Sequence, residues 1–117
     1  MIRYLFVFVM LIHGLIHLAG FAAAFGYGKI GPIASEITRA GGVLSLIATI
    51  SLTLTTVFFL LRNENWLWGA ILSILVSQTV ILMAWQDARF GTIFNIIIAL
   101  GLLTDILTRE INVIFRD

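Results

Sequence analysis

Two histidines, His13 and His17, stand four residues apart inside an apolar run that begins at Tyr4 and continues through Leu18 to Phe25. Residues at i and i+4 share one face of a helix, so both imidazoles point the same way. A bilayer is crossed by roughly 20 mostly apolar residues, and an ionisable side chain at that depth is costly enough to face a bundle interior or a cavity. The pair is therefore the first candidate for chemistry. Each imidazole can hydrogen-bond across to Ser, Thr or Asn on a neighbouring helix, which satisfies its polar atoms and fixes register. The pair can also chelate a metal such as zinc, but zinc wants a third protein ligand, and the Glu of an H-E-x-x-H site is missing. Haem ligation is a third use. Two histidines one turn apart cannot occupy opposite faces of one ring, which leaves a single-histidine site or one shared between subunits. Proton handling or recognition of a polar ligand completes the set.

A second constellation runs Trp85-Gln86-Asp87-Ala88-Arg89-Phe90-Gly91-Thr92, with Asn95 one turn on. Asp87 can cap the helix that follows, where a carboxylate accepts backbone N–H bonds and favours the positive end of the dipole. The same loop can instead fold over the end of the bundle that His17 approaches. His17 lies about eight residues from the end of its span, or roughly 12 Å at ~1.5 Å per residue. If the loop dips inward, Asp87 is the carboxylate expected to pair with His17. Ser77 and Gln78, midway along the third apolar segment, are placed to line the interior near His13. Trp85, Arg89 and Asn95 complete the candidate polar network. Asp105 falls at the opposite end, in the interface.

The elements that must position these residues follow from composition. Of 117 residues, 61% are hydrophobic and 11% charged, with mean hydropathy +1.10, whereas a soluble domain carries about 25% charged residues. The chain is a membrane protein. A net charge of +1 offers no basic face for nucleic acid, and the absence of cysteine excludes disulfides and thiol redox chemistry. Hydropathy and breakers give four spans in one domain: about Tyr4 to Phe25, Thr38 to Leu61, Trp66 to Trp85, and Thr92 to Asp105. A Gly/Pro-bearing loop from Gly26 to Pro32 separates the first two, and the turn Arg62-Asn63-Glu64-Asn65 the next two. From Leu107 to Asp117 apolar and charged residues alternate, as in a helix end lying in the interface. A cleaved signal reading of the first span, suggested by Arg3 and Ala22-Ala23-Ala24, fits poorly with two histidines in its core.

Small and weakly polar residues let helices approach in lipid, and each span carries such a stripe at four-residue spacing. The stripes are His13, His17, Gly20 and Ala24; Gly41, Ser45, Thr49 and Thr53; Gly69, Ser73 and Ser77; and Gly91, Asn95 and Ala99. They predict an all-α, antiparallel four-helix transmembrane bundle with short loops. With both termini in the cytoplasm, Arg3, Arg62, Arg109 and Arg116 lie inside, against Lys29, Arg39 and Arg89 outside, which favours that orientation by four to three.

The segment His13-Gly14-Leu15-Ile16-His17-Leu18-Ala19-Gly20-Phe21, together with Ser77-Gln78 and the stretch from Trp85 to Asn95, resembles a group of small bacterial four-helix membrane proteins, more distantly similar to the DoxX-like fold. The resemblance covers nearly the whole chain and implies a bacterial inner-membrane location. It implies no assigned reaction, since DoxX-like proteins range from quinone-linked oxidoreductase subunits to unassigned membrane proteins. Some members carry a soluble domain after the fourth helix.

Three functional classes follow. The first is a non-enzymatic membrane module, self-associating or an accessory subunit of a larger membrane complex, with no cofactor. The second is a haem- or quinone-linked redox subunit built on His13, His17 and Asp87. The third is an oligomeric transporter or proton pathway.

Overall fold

In the computed structural model the described residues are 2–26, 38–83, 85 and 89–116, with side chains described for 3–26, 38–83, 85 and 89–108. Four long helices cover them: α1 (Ile2–Ala24), α2 (Arg39–Leu60), α3 (Trp66–Met83) and α4 (Gly91–Arg116). All four are long and apolar enough to cross a membrane, and together they form an all-α bundle in a small multi-pass membrane protein. The molecule measures 56 × 24 × 24 Å, long enough for the ~30 Å hydrocarbon layer and its interfaces.

Local chemistry fixes the helix ends. Thr38 is extended and its hydroxyl accepts the Gly41 N–H at 3.0 Å, an N-cap for α2. At the other end Leu61 caps α2, the Arg62 N–H donates to Phe59 O at 3.1 Å, and the Asn63 N–H to Phe58 O at 2.9 Å. That pair of bonds is a Schellman motif, whose left-handed position is normally glycine. Here Arg62 occupies it, with φ of 57°. The Asn65 N–H then donates to Asn63 Oδ1 at 2.9 Å and the chain turns directly into α3. The fourth helix runs unbroken to Arg116, so the charged segment after Asp105 continues α4.

Sequence neighbours pack in order, and α4 closes against α1. Contacts show that α1 and α2 are antiparallel: Arg3 donates to Phe59 O, Thr49 to Gly14 O at 3.0 Å, and Gly42 lies against Ala24. Between α2 and α3, Gly69 lies on Thr55, whose hydroxyl is 3.3 Å from Ser73 Oγ. An apolar layer of Met10, Leu52, Trp66, Ala70 and Ile98 fills the bundle on one side of the histidines. The outer surface is Leu, Ile, Val and Phe, the surface a bilayer requires of helices that satisfy their own backbones.

The stripe on α2 needs one correction. Gly41 and Ser45 are buried, but Thr53 is exposed and its hydroxyl turns back to Thr49 O. The buried face continues instead through Ala48, Leu52, Thr55 and Thr56. At ~3.6 residues per turn, a strict four-residue step drifts about 40° each time. A straight helix therefore keeps its inner face by alternating steps of three and four.

A polar cluster inside the bundle

His13, on α1, is 1% exposed, and His17, one turn later, 5%. Both Nε2 atoms converge on one hydroxyl of α3: Ser77 Oγ lies 2.9 Å from His13 Nε2 and 2.6 Å from His17 Nε2. The same His13 nitrogen is 3.0 Å from Asn95 Oδ1 on α4. The cluster continues outward, as Asn95 Nδ2 donates to Gln78 Oε1 at 3.0 Å and Gln78 Nε2 donates to Thr92 Oγ1 at 3.2 Å. One connected network thus joins α1, α3 and α4.

The network dictates its own proton positions. With Asn95 Nδ2 donating to Gln78, Asn95 Oδ1 faces His13 and can only accept, so His13 carries its proton on Nε2. Ser77 then has its single proton available for His17 Nε2. Two consequences follow. His13 Nδ1 becomes a buried acceptor, and among the described residues it has no partner. Ser77 becomes the relay between two imidazoles, accepting from one and donating to the other.

Ring contacts hold the donor geometry. His13 stacks on Phe94, with centroids 5.1 Å apart and planes 7° from parallel, and meets His17 edge-on at 4.7 Å. Gly91 lets the start of α4 approach, since a Cβ there would come within 2.9 Å of Ile81 Cδ1 and 3.7 Å of His13 Cε1. Phe94 carried no chemical signal in the sequence beyond its adjacency to Asn95, and Thr92 stood only as the last residue of the second constellation. Their roles emerge only when α4 is rotated against α1 and α3.

Of the candidate site residues, His13, His17, Ser77, Gln78 and Asn95 are brought together. Trp85 and Arg89 are not: both are exposed, with the Arg89 N–H donating to Trp85 O and its guanidinium 5.2 Å from the Phe90 ring centroid. Asp87, proposed as the partner of His17, lies outside the described residues. Among the described residues no group of three or more His, Cys, Asp or Glu side chains could hold a metal ion. Asp105 lies at the far end of the bundle, where its Oδ2 accepts the Trp66 indole N–H at 3.0 Å.

Comparison of the chain with protein-family models, curated proteins and solved structures finds no match. The functional reading therefore rests on the cluster's own geometry.

Proposed function

We propose that this chain is a non-enzymatic membrane module, an accessory subunit of a larger membrane assembly in a bacterial inner membrane, with both termini cytoplasmic. The observation that carries the reading is the connection of three helices by one polar cluster. Ser77 Oγ meets both imidazole Nε2 atoms, Asn95 Oδ1 meets that of His13, and Asn95 Nδ2 donates to Gln78, so the bonds tie three helices together, which is what a device for fixing helix register requires. In lipid such bonds replace the hydrophobic drive that holds soluble bundles together.

Extraction in mild detergent, followed by absorbance and native electrophoresis, tests this reading. The expected protein is colourless and migrates in a stoichiometric complex. His13→Asn and His17→Asn should weaken the bundle, yet still allow the complex to assemble at reduced temperature. A Soret band or bound quinone that disappears with either histidine would overturn it in favour of the redox class.

A second reading is favoured by one observation, the continuous chain from His13 through Ser77 to His17. Alternating donors and acceptors of this kind can pass protons, with His13 Nδ1, which has no hydrogen-bond partner among the described residues, as a terminus. Proteoliposomes loaded with a pH-sensitive dye test it directly. Proton flux abolished by Ser77→Ala in folded protein supports a pathway, and absence of flux in wild type removes it.

A further inference from the structure

At the end of the bundle opposite His17, a cavity of about 480 Å³ opens between the start of α1, the α2–α3 turn and the later half of α4. Its size falls in the ~300–1,000 Å³ range of small-molecule sites. Arg3 and Arg62 supply two cations to its wall, and Phe6, Phe59 and Trp66 an aromatic face. We infer that this cavity binds a phosphate group, with Arg3 and Arg62 as its ligands and the aromatic face beneath the apolar part of a phospholipid that carries it.

Three observations carry the assignment. The first is depth. The apolar windows begin at Arg3 and run to Leu60, from Trp66 and to Thr108 around this cavity, which puts it at the boundary where lipid phosphates lie. The second is charge. Arg3 uses Nη2 on Phe59 O and Leu60 O and lies 4.4 Å from the Phe59 ring centroid. That anchoring fixes the guanidinium in place while its Nε and Nη1 have no hydrogen bond among the described residues. Among the described residues of the wall the charged side chains are Arg3, Arg62 and Asp105, and Asp105 accepts from Trp66 Nε1 at 3.0 Å, so two cations outnumber one anion. A planar guanidinium fork matches phosphate oxygens in a way that lysine does not.

The third observation is the backbone of Arg62. Its φ of 57° is one that side chains with a Cβ rarely adopt, in a position where glycine would cap α2 without strain. Strain of this kind at a charged residue in a cavity wall points to a use for the side chain. The aromatic wall is rigid: Phe6, Phe59 and Trp66 meet one another with centroids 5.0 to 5.9 Å apart. This site shares no residue with the histidine cluster, so it stands or fails separately from the proposed module.

Native mass spectrometry of the protein released from nanodiscs of mixed phosphatidylglycerol and phosphatidylcholine provides the test. One phosphatidylglycerol per chain is expected, retained about tenfold more strongly than phosphatidylcholine, the ratio set by ~1.4 kcal/mol. Arg62→Gly should erase that preference while raising thermal stability, because it relieves the left-handed strain; binding and folding are thereby separated. Arg62→Lys should keep part of the preference, and Arg39→Gln, a cation at the other end, all of it. Competition by inorganic phosphate would assign the anion to solution, and its failure to compete would assign it to a lipid headgroup. Equal retention of the two lipids by wild type, an intact preference in Arg62→Gly, or an equal loss in Arg39→Gln would overturn the proposal.

Discussion

Ser77→Ala isolates the polar cluster with the least disturbance, because it removes one oxygen and leaves almost no cavity. The hydroxyl makes two bonds, at 2.9 Å to His13 and 2.6 Å to His17. Interhelical hydrogen bonds in membrane proteins average about 0.6 kcal/mol and reach about 1.7, so the two together contribute roughly 1–3 kcal/mol. His13 Nε2 keeps Asn95 Oδ1. His17 Nε2 loses the partner it has in this cluster, and a buried polar atom left unsatisfied costs about 1–3 kcal/mol. The two figures overlap in what they count, and the expected loss is about 2–3 kcal/mol.

The assay is equilibrium denaturation by sodium dodecyl sulfate in mixed lipid–detergent micelles, followed by circular dichroism. Thr79→Ala is the control, since its exposed hydroxyl bonds to Leu75 O within the same helix, and a change under about 0.5 kcal/mol is expected there. Double-mutant cycles between Ser77→Ala and each of His13→Ala and His17→Ala should show coupling of roughly 0.5–3 kcal/mol. If Ser77→Ala falls as close to wild type as Thr79→Ala, or both cycles are additive, the hydroxyl does not bridge the imidazoles and the module reading loses its basis.

Ser45→Leu and Ser73→Leu, both at positions 1% exposed or less, should each destabilise the bundle by about 1–3 kcal/mol through overpacking; unchanged thermal stability in both would count against the packing assignment. Gly69→Ala should cost a comparable ~1–3 kcal/mol, because its new Cβ meets Thr55, and a melting temperature equal to wild type would show that α2 and α3 are less closely packed. A reporter fused after Asp117 should read cytoplasmic, and a periplasmic signal would invert the orientation.

Composition and the four apolar segments suffice for the membrane class and the helix count, since hydropathy is a property of local sequence and lipid leaves few alternatives to helices. The spacing of His13 and His17 is equally local, and it places both on one face without reference to any other helix. Their partners are another matter. Ser77 was a candidate for the lining beside Gln78, but that one hydroxyl serves both imidazoles depends on how far α3 slides and turns against α1. Phe94 stacks on His13 only because α4 is rotated to present Asn95, and a phenylalanine in an apolar span carries no mark of that role. The drift of the α2 face from Thr53 to Leu52 and Thr55 likewise reflects helical pitch acting over a whole span.

The far end of the bundle shows the division most clearly. In the sequence, Arg3 and Arg62 count toward orientation, Trp66 opens the third span, and Asp105 marks the end of the fourth. Antiparallel folding brings all four to one cavity, because turns between spans of matched length return the chain to the same depth. Local sequence decides which residues lie at a membrane boundary. Only the packing of one helix against another decides which of them meet.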